Sequence, residues 1–303
     1  MSDIKLKDLR YLVAVADSGH FGRAAERCFI SQPTLSAQLK KLEEYLGVPL
    51  IERQPRRATL TQAGEQIVAR ARLILSASDE VITIAQTYRD PLSGRLRVGL
   101  IPTVGPYVLP QVAPAVHRKM PRLDLLLFEY QTAALLQKIQ AGEIDVGVLA
   151  LPVQMEGLAS RMLYDEDFNV ALPERHRLAR QASVRLSDLA DESLLLLEEG
   201  HCLRDQALEV CSRISIHERQ DFRATSLETL RQMVAAGAGV TLMPELASGG
   251  AYGNARGVVI RPLVRPTPHR RIGAVWRKSS ARGAAIQAFC EVLVKHVKHA
   301  ALA

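Results

Sequence analysis

Two cysteines lie nine positions apart in the segment Gly200–Cys211, which reads GHCLRDQALEVC. The residues between them have the composition and the apolar spacing of a short helix. The preceding run SLLLLEEG reads as a strand, which places Cys202 at a strand-to-helix corner. From the residues alone, Cys202 and Cys211 could be buried apolar side chains, metal ligands, half of a catalytic pair or a switch.

A thiol at the start of a helix is suited to react as a thiolate. The N-terminal end of a helix lowers the pKa of a cysteine, and His201 and Arg204 are close to Cys202 in sequence. A thiolate attacks a peroxide and becomes a sulfenic acid. Further groups expected near this corner are the hydroxyls of Thr103 and Thr132, which could hold the displaced peroxide oxygen, and the cationic side chain of Arg270.

Helical geometry separates the two cysteines. If residues 203–211 are helical, Cys202 and Cys211 lie about 180° apart around the axis and roughly 13 Å apart along it. A disulfide needs Cα atoms within about 7 Å of each other. The pair could therefore close only if the helix between them unwinds, and oxidation would then act as a two-state switch.

Three other interpretations of the cysteines stay open at this point. Inert burial is the usual situation of a free cysteine, and it is favoured for Cys28 and Cys290, which lie on apolar helix faces. A thiol peroxidase would use the same first step on a reactive thiol. A zinc site would lack the close paired spacing of structural zinc ligands. Its candidate ligands are His201, Cys202, Cys211 and His217.

The elements that must position this segment read as an α/β fold. From residue 95 the chain alternates predicted strands and helices, which predicts a mostly parallel sheet. A second unit begins near FNVALP at 168–173, and the final strand RIGAVWRK and the helix after it return to the first unit. The pattern predicts two lobes arranged as in periplasmic binding proteins, with ligands held between the lobes at the carboxyl ends of the strands.

The first sixty residues predict an all-α winged helix-turn-helix. Three short helices are indicated; Ser31 caps the third, Gly47 ends it, and a basic turn between two short strands forms the wing. Residues 1–60 hold ten Lys and Arg against seven Asp and Glu, in a chain of net charge +7, which permits a nucleic-acid partner. The candidate contacts to double-stranded DNA are Ser31, Gln32, Pro33, Thr34, Ser36, Gln38, Lys40, Arg53, Arg56 and Arg57.

Residues 61–89 read as one long amphipathic helix of about 43 Å. Its apolar positions, which include Leu73, Ile74 and Val81, need a partner surface. Because this helix lies between two predicted domains, we expect a linker helix that pairs with its copy in a dimer. A dimer also supplies the two half-sites that a short recognition helix needs.

Composition excludes several classes of protein. No apolar run approaches the roughly 18 residues that a membrane span needs, and the first residues lack the apolar core of a secretory signal. We therefore expect no membrane partner and a cytoplasmic location. Four cysteines in a reducing compartment argue against a structural disulfide framework.

The order of these features resembles the N-terminal domain of LysR-type transcriptional regulators. The match is carried by FxxAA at 21–25, SQPTLSxQ at 31–38, LExxLG at 42–47 and the residues Leu50, Arg53, Arg57, Leu60, Thr61 and Gly64. Ile51 stands where that family usually has Phe. The segments GHCLRDQALEVC, IPTVGPY and RATSLETLR are similar to the peroxide-sensing members of the family.

This resemblance implies roles for the site residues. Cys202 matches the peroxidatic cysteine of the peroxide-sensing members and Cys211 the resolving one, so a reversible disulfide would switch a regulator of antioxidant genes. Positions that match the peroxide pocket of those members are Thr103, Thr132, His201, Arg204 and Asp205, with Arg270 as the expected cation. Also implied are a homotetramer built as a dimer of dimers, contact with RNA polymerase, reduction by a glutaredoxin or thioredoxin system, and no cofactor, metal or enzymatic turnover.

The resulting domain organisation has three parts. Residues 1–60 are the predicted DNA-binding domain, 61–90 the linker and dimerisation helix, and 91–303 the regulatory domain. Lobe I of that domain comprises about 91–164 and 272–303, and lobe II about 165–271. The alternatives are a LysR-type regulator that binds a small metabolite between the lobes, with incidental cysteines, and a thiol peroxidase.

Overall fold

The computed structural model of the chain describes residues 4–54, 57–212, 214, 217–249 and 256–300. Its contacts divide the chain into two compact units. One contains the residues up to 85 together with 141–143, and the other contains 86–140 and the residues from 144 onward. The first unit holds the predicted helix-turn-helix and most of the linker helix, and the second holds the predicted α/β region.

The predicted helix-turn-helix is confirmed. Its helices are α1 (Leu6–Ser18), α2 (Phe21–Arg27) and α3 (Gln32–Leu46). The Ser31 hydroxyl caps α3 by accepting a hydrogen bond from the Thr34 N–H at 3.3 Å. Gly47 ends α3 in the left-handed region, with φ of 71°. The three helices share one apolar core, which includes Leu12, Leu35 and Leu39.

Two antiparallel strands, β1 (Ile51–Gln54) and β2 (Arg57–Leu60), form the predicted wing. The Glu43 carboxylate of α3 holds the start of the wing, because its Oε1 accepts the N–H groups of Leu50 at 2.8 Å and Ile51 at 3.1 Å. Gly64 approaches the same backbone so closely that a Cβ there would lie 2.1 Å from the Leu50 carbonyl oxygen. The wing is therefore fixed to the helices on both sides of it.

The predicted linker helix is α4 (Gln62–Arg89), which has 28 residues. Large apolar side chains along it are exposed, among them Val81 at 67% and Ile82 at 58%. An exposed apolar stripe of this kind is what the expected helix pairing requires. None of the helices in the described part of the chain is long and apolar enough to cross a membrane.

Strands and helices alternate through the second unit. In chain order they are β3 (Gly94–Leu100), α5 (Gly105–Lys119), β4 (Leu123–Glu129), α6 (Thr132–Gln140), β5 (Val146–Leu151), β6 (Leu158–Pro173), β7 (Ser193–Leu197), α7 (Cys202–Cys211), β8 (His217–Ala224), α8 (Leu227–Ala235), β9 (Thr241–Pro244), α9 (Glu245–Ser248), β10 (Val258–Pro262), β11 (His269–Arg277) and α10 (Gly283–Ala300). Short 3₁₀ turns lie at Arg177–Arg180 and Leu186–Leu189.

Among the described residues, seven strands form one mixed sheet in the order β10-β6-β11-β5-β3-β4, and β9 also pairs with β6. Strand β3 runs parallel to β4 and β5. The other pairings in this sheet are antiparallel: β11 returns from the second lobe and runs opposite to β5 and β6, and β6 also runs opposite to β9 and β10. The strands of the predicted βαβ alternation, β3 to β5, are therefore parallel, as predicted, whereas the sheet as a whole has more antiparallel than parallel pairings and the prediction of a mostly parallel sheet is wrong for it.

Strands β6 and β11 connect two separate apolar cores, and the predicted two-lobed fold is confirmed. The first half of β6 pairs with β11, and its second half pairs with β9 and β10. The core of lobe I includes Leu96, Val146 and Phe289 of α10. The core of lobe II includes Phe168, Leu195 and Leu230. The final strand and helix thus return to lobe I, as the sequence predicts.

Candidate functional site

Cys202 is the first residue of α7 and follows β7 after a tight corner. Gly200 makes this corner possible, because its φ is +95° and a Cβ there would lie 2.5 Å from Gln131 Oε1. The predicted strand-to-helix corner is confirmed. It puts the Cys202 thiol at the N-terminal end of a ten-residue helix.

Cys202 lines a small, tight pocket between the two lobes, which we refer to as the thiol pocket. Lobe I contributes the segments that follow β3 and β4, and lobe II contributes the corner before α7. The lining residues are Ile101, Pro102, Thr103, Gln131, Thr132, Gly200, His201 and Cys202. Four of the predicted site residues therefore meet here, together with Gln131 and Gly200, which sequence reasoning missed.

Thr132, the first residue of α6, places a buried hydroxyl on the wall of the thiol pocket. Its Oγ1 is buried, and no hydrogen bond to it forms within the described residues. Most buried polar atoms are hydrogen-bonded, because burial without a partner costs free energy. An unsatisfied hydroxyl on the wall of the thiol pocket is thus suited to bind a small polar molecule.

Thr103 is held in place by a buried ion pair. Arg270 donates to Thr103 Oγ1 from Nη1 and to the Thr103 carbonyl oxygen from Nη2, each at 2.9 Å. Arg270 Nε also donates to Glu166 Oε2 at 2.8 Å, and the other Glu166 oxygen accepts the Leu246 N–H at 3.0 Å. Because Thr103 Oγ1 accepts from Arg270, the Thr103 proton is left for donation to another group.

Three residues predicted to line the pocket lie elsewhere. Arg270 is outside the thiol pocket, reaches it through Thr103, and has its charge paired with Glu166. The buried Arg204 forms an ion pair with Glu218 at 2.8 Å, and Asp205 is exposed. Arg204 comes two residues after Cys202 and is rotated by about 200° around the helix, so its side chain points away from the pocket. Asp205 is rotated to within about 60° of Cys202, but its exposed side chain is not among those that line the pocket.

His201 is buried at the corner, with Nε2 3.8 Å from Glu198 Oε1. Burial lowers the pKa of His201, and the nearby carboxylates of Glu198 and Glu129 only partly oppose this effect. The imidazole is therefore neutral near pH 7. It offers the thiol pocket a hydrogen-bonding group and not the positive charge expected from its position in the sequence.

Cys211, the last residue of α7, lies in the core of lobe II and is 3% exposed. Burial raises the pKa of Cys211 to about 11, so the thiol stays protonated at neutral pH. Cys202 is half-buried and packs against the core of lobe I. The separation of the two thiols that helical phase predicts is confirmed. It also argues against the zinc alternative, because two thiolates that bind one zinc ion must lie close together.

The other two cysteines differ in exposure. Cys290 is fully buried in the core of lobe I, and burial raises its pKa to about 11. Cys28, the residue after α2, packs against the core of the helix-turn-helix but is partly exposed, so the predicted burial is only partial for it. Burial still raises the pKa of the Cys28 thiol, against the opposing charge of Arg27. All four cysteines are free thiols.

The residues predicted to contact DNA belong to α3, with its N-cap, and to the wing. Ser31, Gln32, Pro33 and Thr34 are exposed, and the Ser31 and Thr34 hydroxyls hydrogen-bond each other at 2.7 Å. Further along α3, Ser36 and Gln38 are half-buried and Lys40 is exposed, 3.7 Å from Glu44. Of the predicted wing contacts, Arg56 lies outside the described residues, and so do the side chains of Arg53 and Arg57.

Two family models match this chain. The model "Bacterial regulatory helix-turn-helix protein, lysR family" matches residues 6–65, and the model "LysR substrate binding domain" matches residues 89–298. The chain belongs to the LysR family. The resemblance carried by SQPTLS and the residues around it is thereby confirmed, and the chain has the helix-turn-helix of a bacterial regulator.

Relatives in the LysR family are similar in sequence to this chain over nearly its whole length. The chain is 46% identical to the DNA-binding transcriptional dual regulator OxyR of Escherichia coli, with 91% of this chain and 90% of the relative covered. The solved structure of a full-length OxyR variant from Pseudomonas aeruginosa is 40% identical, with a TM-score of 0.79 and 97% and 95% coverage. A Corynebacterium glutamicum OxyR mutant with hydrogen peroxide bound is 38% identical, with a TM-score of 0.69 and 98% and 94% coverage.

Proposed function

We propose that the protein is a hydrogen-peroxide-sensing transcriptional regulator, switched by a reversible disulfide between Cys202 and Cys211. The observation that carries the proposal is the thiol pocket. It brings together Cys202 at a helix N-terminus, the oriented hydroxyl of Thr103, and the hydroxyl of Thr132, which has no hydrogen-bond partner among the described residues. The similarity to OxyR proteins, one of them with peroxide bound, supports the same function.

The first step is oxidation of Cys202. The thiolate sulfur attacks one oxygen of hydrogen peroxide, the O–O bond breaks, and Cys202 becomes a sulfenic acid while hydroxide leaves. Thr103 can donate its remaining proton to the leaving oxygen, because Arg270 already donates to the Thr103 oxygen. Thr132 supplies a second hydroxyl, and both stabilise the charge that develops as the O–O bond breaks.

The second step is attack by Cys211 on the sulfenic acid. The Cys211 sulfur bonds to the Cys202 sulfur, and the sulfenic oxygen leaves as water with the Cys211 proton. Because Cys211 is buried in the core of lobe II, this step requires α7 to unwind. The high pKa of Cys211 keeps it from competing for peroxide, so the order of the two steps follows from burial.

Unwinding of α7 removes buried contacts from lobe II. Leu203, Ala207 and Cys211 belong to its core, and Arg204 pairs with Glu218. A helix that loses its native packing changes the surface that its lobe offers to other subunits. We expect this change to alter how the subunits are arranged on DNA, which is the output of the switch.

The remaining parts of the proposal concern assembly and partners. Residues 1–60 bind double-stranded DNA through the start of α3 and the wing, 61–90 pair the chain with a second copy, and 91–303 sense peroxide. Two such dimers form a tetramer that contacts RNA polymerase, controls antioxidant genes and is reduced by a glutaredoxin or thioredoxin system. The protein acts in the cytoplasm as a regulator, without a cofactor and without enzymatic turnover.

Mass spectrometry after one equivalent of hydrogen peroxide tests the switch. The wild-type protein should form the Cys202–Cys211 disulfide, and Cys211→Ser should stop at the sulfenic acid of Cys202. Cys202→Ser should leave Cys211 a free thiol. A Cys202 that stays unmodified, or a Cys211 that remains a free thiol in the oxidised wild-type protein, would contradict the proposal.

A regulator that responds to a small metabolite is the second candidate. A separate groove of about 850 Å³ runs between the lobes, and Leu151, Ser187 and Gln206 line it. Arg185, Arg265 and Arg271 on its walls favour an anionic ligand. This candidate predicts DNA binding that changes with a small organic anion and does not change with peroxide.

A further inference from the structure

Phe29 is a large apolar side chain with almost no contacts of its own. It is 94% exposed, more than any of the other exposed large apolar residues in the described part of the chain. Its neighbours Cys28 and Ile30 both pack against the core of the helix-turn-helix. The side chain of Phe29 therefore gains nothing from burial, although phenylalanine is a residue that ordinarily contributes through burial.

The backbone of Phe29 is also in an unfavourable conformation. Its φ is +54°, in the left-handed region that phenylalanine rarely adopts. The Ile30 N–H donates to the Ala25 carbonyl and the Phe29 N–H to the Glu26 carbonyl, both at 3.1 Å. This pair of hydrogen bonds is the Schellman motif that ends a helix, and Phe29 occupies the position where glycine is usual.

The same domain uses glycine at its two other helix ends of this kind. Gly19 ends α1 with φ of 60°, and Gly47 ends α3 with φ of 71°. At these two helix ends of the domain, glycine supplies the left-handed turn without strain. A strained and exposed residue at the third helix end indicates a function for its side chain.

The position of Phe29 indicates what its side chain contacts. It lies two residues before Ser31, the N-cap of α3, in the turn that joins α2 to the recognition helix. The N-terminal end of a recognition helix faces the major groove of DNA. The apolar group that a base pair presents in that groove is the 5-methyl group of thymine.

We propose that Phe29 is a specificity-determining residue that contacts a thymine methyl group at the edge of each half-site. The proposal rests on the DNA binding in the proposed function and does not depend on the thiol switch. It explains why the turn tolerates a left-handed phenylalanine: the side chain is desolvated only in the complex with DNA. Glycine at this position would give a more stable turn and a weaker, less thymine-selective complex.

Two variants separate the side chain from the backbone strain. Phe29→Ala and Phe29→Gly both remove the ring, whereas only Phe29→Gly also relieves the strain. Binding is measured with a DNA duplex that the wild-type protein selects from a random pool. Both variants should bind this duplex more weakly than the wild-type protein by the same factor, about fourfold or more, because burial of one methyl group changes affinity by about that factor. In thermal unfolding of the full chain, Phe29→Gly should be the more stable of the two.

Uracil substitution then tests the thymine contact. Replacing the thymines of the selected duplex by uracil should weaken wild-type binding, and should weaken binding by Phe29→Gly by a smaller factor, because the contact is already absent. Equal losses in the two proteins, or wild-type affinity in Phe29→Gly, would overturn the proposal. Wild-type DNA affinity with loss of transcription activation would also overturn it and would point to a protein partner. If the wild-type protein selects no duplex, the proposed DNA binding itself fails.

Discussion

Replacing Thr132 with valine tests the thiol pocket by changing a single group. Valine has the shape of threonine but lacks the buried Oγ1, which has no hydrogen bond within the described residues. A buried polar group without a partner costs about 1–3 kcal/mol, so the free energy of unfolding of reduced Thr132→Val should rise by about 1 kcal/mol or more. Urea unfolding under reducing conditions measures this change.

The same variant should react more slowly with peroxide. A hydrogen bond to a charged oxygen contributes about 1.5–3 kcal/mol, so loss of the Thr132 hydroxyl should lower the oxidation rate of Cys202 by about 10- to 100-fold. Rapid mixing with excess peroxide, followed by alkylation of the remaining thiol, gives this rate in a Cys211→Ser background. Greater stability combined with slower oxidation is the expected signature of a hydroxyl kept free for a ligand.

Thr103→Val is the matched control. It also removes a hydroxyl from the thiol pocket, but this hydroxyl accepts a hydrogen bond from the buried Arg270. Its loss leaves a buried donor without a partner and should lower the free energy of unfolding by about 1–3 kcal/mol. If Thr132→Val is destabilised like Thr103→Val, or if it oxidises at the wild-type rate, the reasoning about Thr132 is refuted.

Three further predictions concern pH and assembly. Because burial lowers the pKa of His201 below 6.5, the folded protein binds fewer protons than the unfolded protein as the pH falls through that value. The free energy of unfolding should thus fall as the pH is lowered from about 7 to 5, and it should fall less in His201→Gln. If the midpoint of urea unfolding depends equally on pH in the wild-type protein and in His201→Gln, this prediction is contradicted. Because burial raises the pKa of Cys211 from 9.0 to about 11, stability should fall as the pH rises through that window, with a smaller fall in Cys211→Ala. Val81→Glu on the exposed stripe of α4 should weaken self-association in sedimentation at least tenfold, whereas Glu80→Gln should not; an unchanged dimer would count against helix pairing.

Local signals in the sequence predict most of the elements. Helix α3 begins after the hydroxyl of Ser31 and ends at Gly47. Both caps depend only on residues close to them in the chain, so both ends of the helix can be predicted from the sequence. The helical phase of α7 likewise separates Cys202 from Cys211 without any knowledge of the lobes. Of β6, the pattern indicates only the second half, FNVALP at 168–173, because exposed charged residues interrupt the apolar pattern of the first half.

The thiol pocket could be predicted only in part. Thr103 and Thr132 follow predicted strands, so their place at one edge of the sheet can be inferred. The neutralisation of Arg270 by Glu166 could not be inferred, because it depends on the register between β6 and β11. The orientation of Arg204 away from the pocket was available from helical phase, but proximity in sequence to Cys202 suggested the opposite.

In the proposed switch, oxidation joins Cys202 to Cys211 and unwinds α7 between them. Hydrogen exchange followed by mass spectrometry, before and after one equivalent of hydrogen peroxide, measures both the bond and the helix in one sample. We expect slow exchange at 203–211 in the reduced protein and fast exchange there once the disulfide has formed, with Cys211→Ser keeping slow exchange under the same treatment. A disulfide between these cysteines with exchange at 203–211 still as slow as in the reduced protein would contradict the proposed switch.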